Sequence, residues 1–233
     1  MTDGHEGALT DAAAAAEINS DGWRLLLGGA NSTVAVTSLP TAVEVATTAI
    51  RVCGPDAAHL RLDLRADQVN LALRTPGSGQ LGRLDATLAA RISFALGELG
   101  LTTTPGGTGA APPVQVMEIA IDALDIPAVL PFWRAALGYL EETRAIAEGQ
   151  EVTLVDPRGQ GPTLWFQQLD APRPQRNRIH FDITVADDEA EVRVAAAVAS
   201  GGRLISDEKA RAFWVLADPE GNEVCICTWQ DRD

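Results

Sequence analysis

Few residues in this 233-residue chain have side chains suited to chemistry. Its three cysteines, Cys53, Cys225 and Cys227, include no CxxC pair. An odd count without paired spacing fits a reducing compartment and excludes a disulfide framework. In the segment EVCICTW a period of two sets Glu223, Cys225 and Cys227 on one face of a strand, so two thiols and a carboxylate share a surface. His180 opens another alternating segment, IHFDIT, and an imidazole there is suited to acid–base work or metal ligation. His59 precedes the alternating HLRLDLR, and Asp85 falls in the first turn of a helical stretch. Taken alone, these two read as a turn or surface residue and a charge favoured by the helix dipole. The chain has no nucleophile elbow, Walker loop, dinucleotide GxGxxG or HExxH, so hydrolase, nucleotide-binding and metalloprotease readings lack support.

The elements that must position Cys225 and His180 come as a repeat. LVDPRGQG begins at Leu154 and LADPEGNE at Leu216, so Asp156 and Asp218 lie 62 residues apart (218 − 156), and the same shift carries Glu118 of MEIAID onto His180 of IHFDIT. Each half reads as strand, helix and three strands. In the first, PAVLPFWRAALG is helical with Gly138 as its C-terminal cap, a weak strand runs from Glu142 to Ile146, and EVTLVDP and TLWFQQL flank the turn RGQG. In the second, EAEVRVAAAVASGG is helical with Gly201 at its end. RLIS is a strand, and AFWVLAD and EVCICTW flank PEGN, where Gly221 permits positive φ and Asp218 caps the turn. One half alone leaves an apolar sheet face uncovered, so the two pack as one domain over 114–230. Trp165, Phe166, Phe213 and Trp214 supply aromatic surface there, and alternation sends only half of them inward.

Before this domain, PGGTGAAPP (105–113) reads as a Gly/Pro linker. Residues 1–104 give the order ββαββα. GWRLLL and STVAVT are strands, and LPTAVEVATTAIRVC is a helix with Leu39, Val43, Ala46 and Ile50 on its apolar face. The strands HLRLDLR and VNLALRT follow, then a helix from Leu81 to Leu99 that buries Leu81, Leu84, Leu88, Ile92 and Leu99. The expected fold class is α+β: a sheet with two helices on one face, followed by a duplicated βαβββ domain.

A net charge of −14 and a pI near 4.5 argue against unspecific binding to nucleic acid or an anionic membrane and favour a small organic ligand as partner. The acidic start MTDGHEGALTD and the lack of a long apolar run lead to an expectation of cytoplasmic location. A homo-oligomer stays open, since an exposed sheet edge can pair with another copy.

The paired halves, FWRAALGY, IHFDITVAD and WVLADPEGNEVCIC resemble the glyoxalase and bleomycin-resistance (vicinal oxygen chelate) superfamily from Val114 to Trp229. The resemblance implies a concave sheet that binds a small molecule, often with a divalent metal held by the first and last strands of each half. Carried over, the first-strand positions are Glu118 and His180, and the last-strand positions Gln167 and Cys225, with Glu223 as a neighbouring carboxylate; these five form the implied pocket. A metal set of His180, Glu118 and Cys225 suits zinc better than magnesium or calcium. The alternative, which the sequence favours, is a metal-free pocket in which His180 forms hydrogen bonds and Cys225 is a small hydrophobe. The implied function is a small-molecule-binding or sequestering protein, or an enzyme of the lyase or isomerase type.

The N-terminal part resembles pterin-4a-carbinolamine (4a-hydroxytetrahydrobiopterin) dehydratase in GW at Gly22, the helix before His59, RADQVNLALRT and GSGQLGRLDATLAARI. The resemblance implies His59 and Asp85 as catalytic residues. The family's His-His-Pro segment reads Ala58, His59, Leu60 here, and its later histidine is Pro76. Proline transfers no proton, and acid–base help is worth about 10² to 10⁴ in rate, so any dehydratase activity is expected to be weak or lost.

Overall fold

The computed structural model describes residues 10–78, 80–105, 114–146, 149–173, 175 and 179–231. Most of the expected linker, residues 106–113, lies outside them. The chain divides into two compact units, one of Met1–Val116 with Thr143–Ala147 and the other of Met117–Glu142 with Glu148–Asp233.

The first unit opens with helix α1 (Asp11–Asn19), capped by the Thr10 hydroxyl, which accepts from Ala13 N at 3.3 Å. Strands β1 (Arg24–Leu26) and β2 (Gly29–Ala35) form a hairpin, with Leu27 and Gly28 both at positive φ in its turn. Helix α2 (Leu39–Cys53) is capped by Ser38, carries Pro40 in its first turn and ends at Gly54. A 3-10 turn over Gly54–His59 leads to β3 (Leu60–Leu64) and β4 (Gln68–Leu73), an antiparallel pair, then α3 (Arg83–Gly97) and the short β5 (Thr103–Thr104). The sheet order is β1-β2-β4-β3, with β5 added beside β2.

Alternation in β4 buries Val69, Leu71 and Leu73, and these meet Trp23, Val45, Leu88, Ile92 and Leu96 in one core. The buried face of α2 differs from the sequence expectation. Ala42, Val45, Ala46, Ala49 and Cys53 point inward, whereas Leu39, Val43 and Ile50 are half exposed, at 51%, 51% and 50%. The side of α2 turned inward is rich in alanine, which lets a helix approach its neighbours closely, so the larger side chains fall outside. In α3, Leu88 and Ile92 are buried as expected, but Leu84 is exposed, because Asp85, Ala86 and Ala89 occupy the inward turns, and Leu99 is exposed beyond the helix end at Gly97. The two-residue β5 is too short to leave an alternating signature. It is fixed by the Thr103 hydroxyl, which donates to Asp21 O at 2.7 Å and meets Ser93 Oγ, itself the acceptor for Trp23 Nε1 at 2.8 Å.

The second unit, together with residues 143–146, which group with the first, is built from two four-stranded sheets of the same order. β6 (Glu118–Ala123), α4 (Ile126–Leu137), β7 (Leu140–Ile146), β8 (Gly149–Val155) and β9 (Thr163–Gln168) give the order β6-β9-β8-β7. β10 (Phe181–Thr184), α5 (Ala190–Ala199), β11 (Arg203–Ser206), β12 (Phe213–Ala217) and β13 (Glu223–Cys227) give β10-β13-β12-β11. In each, the first and last strands run parallel side by side. The expected weak strand after α4 is the longer β7. Asp125 caps α4, and Gly138 ends it in the left-handed conformation at φ 69°. The halves share one core containing Phe132, Trp133, Leu164, Trp214, Leu216 and Ile226. They are also tied by polar contacts: Trp133 Nε1 donates to the fully buried Asp218 at 3.0 Å, and the Glu220 carboxylate accepts from Leu124 N and Asp125 N. Phe166 and Trp214 are buried in this core, while Trp165 and Phe213 fall on the opposite sheet faces.

Candidate functional site

Register decides which side chains meet. On β6 and β9, Glu118 lies opposite Thr163, Ala120 opposite Trp165 and Asp122 opposite Gln167; on β10 and β13, Asp182 lies opposite Cys225 and Thr184 opposite Cys227. Ala120 corresponds to Asp182, so the counterpart of Cys225 in the first half is Trp165, and Gln167 stands in the place of Cys227. The reason is turn length: Thr163 follows Asp156 by seven residues, whereas Glu223 follows Asp218 by five. The carry-over that matched Gln167 with Cys225 is corrected accordingly.

The structure gathers three donors in the second half. His180 Nε2 is 3.5 Å from Asp182 Oδ1, and Asp182 lies opposite Cys225 across the β10–β13 pair. A ligand atom from each of His180, Asp182 and Cys225 lies within 4.8 Å of the other two. His180 and Asp182 are exposed and Cys225 is buried at 7%, so the thiol forms the floor and the other two the rim. Burial first, then the Asp182 carboxylate, push the Cys225 thiol up to about 12, which makes it a neutral donor and a poor nucleophile near neutral pH. Asp182 was not singled out from the sequence, although a period of two from His180 reaches it. Glu118 does not join this group among the described residues; nor does Glu223, which lies on the same face of β13 as Cys225.

Glu118 instead lines a cavity of 710 Å³ along β6, together with Ala120, Asp122, Arg173, Ile179 and Phe181. Ile179 and Phe181 flank His180 in the chain, but neither His180, Asp182 nor Cys225 is part of this lining. Arg173 is 3.4 Å from Asp122 and places one positive charge on an otherwise acidic and apolar wall. Gln167 is exposed at the end of β9 and lies outside the lining.

A divalent metal, implied by the resemblance, can be tested against these donors. One imidazole nitrogen, one carboxylate oxygen and one sulfur are zinc-type ligands, three in number, which leaves a position open. Binding would displace the thiol proton, since the nearby cation reverses the electrostatics that now hold it on. The donor set fits zinc, and it comes from the second half alone rather than from both halves.

In the first unit, Asp85 is fully buried. Its Oδ1 is 2.6 Å from His59 Nδ1, and its Oδ2 accepts from Thr75 Oγ1 at 2.6 Å and from Gly82 N at 2.7 Å. An ordinary exposed helix charge and an isolated turn histidine are therefore both excluded. The carboxylate fixes the imidazole ring through Nδ1. Thr75 is part of this arrangement, and Pro76, where the dehydratase resemblance implies a histidine, supplies no second proton carrier.

Residues 118–227 match the glyoxalase-like domain. Solved structures resemble about half of the chain, 49% in each of three cases. A glyoxalase/bleomycin resistance protein/dioxygenase family enzyme from Burkholderia phytofirmans PsJN is 20% identical, over 49% of this chain and 98% of its own, with a TM-score of 0.39. A glyoxalase-related enzyme from Fulvimarina pelagi is 18% identical over 49% and 87%, also at 0.39. The genomically encoded fosfomycin resistance protein from Listeria monocytogenes is 12% identical over 49% and 90%, with a TM-score of 0.39. No curated protein matches the chain. Among the described residues, no helix is long and apolar enough to cross a membrane.

Proposed function

We propose that the glyoxalase-like domain binds a small organic molecule beside β6 and β10, and that His180, Asp182 and Cys225 are the coordinating or proton-exchanging group of the site. The convergence of those three donors carries the reading. A ligand has room in the cavity along β6, since 710 Å³ is the size of a small-molecule site and apolar walls with a few polar groups are its usual lining; the three donors are not part of that lining. With zinc bound, His180, Asp182 and Cys225 would hold it, and the ion would act as a Lewis acid on a substrate oxygen. The chain's own contribution is separable: Ile179 and Phe181 contact the apolar part of the ligand, and Arg173 attracts a negative group.

The test is metal content by mass spectrometry on untagged protein, followed by thermal shifts with zinc, manganese and nickel and with a panel of organic metabolites. Stoichiometric zinc lost in His180→Ala supports a metal-assisted enzyme of the lyase or isomerase type. No metal, with an organic stabiliser whose effect Phe181→Ala removes, supports the metal-free binding or sequestering protein. Neither metal nor any stabiliser overturns the site.

A second reading concerns the first unit and is favoured by the His59–Asp85–Thr75 arrangement: residual 4a-hydroxytetrahydrobiopterin dehydratase activity, with His59 moving the proton and Asp85 holding the ring. Quinonoid dihydropterin formation from the carbinolamine measures it. A rate unchanged in His59→Ala sinks this second reading.

A further inference from the structure

Consecutive residues of β6, 118–122, border the 710 Å³ cavity. Side chains alternate along a strand, so consecutive residues border one space only where it runs along the strand's edge. The ladder shows which main-chain groups face that space. Ala123, paired with Gln168, accepts at its carbonyl from Leu169 N at 2.8 Å. In a parallel pair alternate residues bond to the same neighbour, so Ile119, Ile121 and Ala123 bond to β9, while the N–H and C=O of Ala120 and Asp122 turn the other way. β6 ends its sheet, and among the described residues no strand pairs with it on that side. Two donors and two acceptors are thus presented with the spacing of a strand. From this edge we infer that the cavity takes a short zwitterionic peptide, about three residues long, extended and parallel to β6, with its ammonium at Glu118 and its carboxylate at Arg173. This class of ligand presupposes that the cavity is a small-molecule site and names the chemistry of the molecule it holds.

The charges set direction and length. Arg173 is the one cation among the described residues that line the cavity, and it lies 3.4 Å from Asp122. A guanidinium carries five N–H donors, so that contact leaves others for a second carboxylate. At the same end the Glu220 carboxylate is held by Leu124 N and Asp125 N, at 2.9 and 2.7 Å. Glu118 lies four residues earlier on β6, about 13 Å away at roughly 3.3 Å per residue. An extended tripeptide covers about 10 Å between its charged ends, and the Glu118 and Arg173 side chains reach across the remainder. A single amino acid is too short to meet both.

The same alignment satisfies the strand edge. A peptide laid along β6 exchanges hydrogen bonds with Ala120 and Asp122 as an added strand does, whichever side chains it carries. Ile179 and Phe181 give an apolar wall for its central side chain.

Titration calorimetry of the full chain with alanyl-leucyl-alanine tests the inference. The free tripeptide is expected to bind, and N-acetylation or C-terminal amidation should each weaken it roughly tenfold or more, the loss of one charge-assisted contact. In Glu118→Gln acetylation should cost nothing further, and in Arg173→Gln amidation should cost nothing further. Both side chains are exposed, so both variants should keep the circular dichroism of the wild type. Ala120→Pro deletes an outward N–H, is tolerated on an edge strand, and should weaken all three peptides alike. End-capped peptides that bind as tightly as the free one, or penalties that persist in Glu118→Gln and Arg173→Gln, would overturn the inference. A tripeptide that fails to bind, beside an organic metabolite whose stabilising effect Phe181→Ala removes, overturns the peptide and keeps the small-molecule site; if neither binds, both fall.

Discussion

At the scale of single residues, the chemistry of the candidate site turns on what Asp182 does to its neighbours. It lies opposite Cys225, approaches His180, and shares with burial the responsibility for a thiol held at about 12. The expected outcome is slow alkylation of native Cys225 by iodoacetamide between pH 7 and 9, faster in Asp182→Asn, where the negative charge is gone. Peptide mapping of the labelled protein reads both, and an equal rate in the two proteins would show that Asp182 does not control the thiol. A second residue-scale prediction concerns the first-half turn. Burial raises the Asp156 carboxyl, but the backbone N–H groups of Gly161, Arg158 and Gln160 outweigh it and hold the pKa below its ordinary 3.8. A depressed folded-state pKa contributes stability that is present above the unfolded value and is lost as pH falls through the folded one. Asp156→Ala should therefore lower Tm at pH 7, and the difference from wild type should narrow below pH 3.8. His180, Cys225, His59 and Asp85 were all legible as candidates in the sequence. Asp182 was not, because it takes no position that the resemblance carries over, and the burial of Asp85 was hidden because a first-turn carboxylate looks the same whether it faces water or the core.

At the scale of elements, alternation and the repeated DPxG turns made the strands of the second unit readable, since period two and a fixed shift survive without knowledge of packing. Last-strand register was not readable in the same way: two extra turn residues in the first half move Trp165, not Gln167, to the place of Cys225. The helices failed differently. In α2 helical spacing groups Leu39, Val43, Ala46 and Ile50 on one apolar face; of these the structure buries Ala46, beside Ala42, Val45, Ala49 and Cys53, because close approach can outweigh side-chain size. One interaction between elements deserves a direct measurement, the buried Trp133–Asp218 hydrogen bond that joins α4 of one half to the turn before β13 of the other. Trp133→Phe keeps most of the apolar volume and removes the donor. The expected cost is about 1–3 kcal/mol, the penalty for a buried acceptor left without that partner. Denaturant unfolding of the variant checks it, and a loss under about 0.5 kcal/mol would mean that Asp218, which also accepts from Glu220 N and Asn222 N, is satisfied by the turn alone.

At the scale of the whole molecule, the chain closes two separate cores, one around Trp23, Leu71 and Ile92 and the other around Trp133, Leu164 and Ile226. Each core contains only residues of its own unit, so a cavity made in one removes contacts from that unit and not from the other. Two cores of this kind should unfold with separate enthalpies, and all-or-none behaviour is a property of single domains rather than of such chains. Leu71→Ala is expected to lower one calorimetric transition by the equivalent of about 2–5 kcal/mol and leave the other in place, and Leu164→Ala to do the converse. Zinc, if it binds at His180, Asp182 and Cys225, should raise only the transition that Leu164→Ala lowers, because a ligand stabilises the fold it binds. Scanning calorimetry of the two variants, with and without the ion, therefore assigns each transition to a unit and locates the metal effect in one of them. A single transition shifted equally by both substitutions would mean that the two cores melt as one.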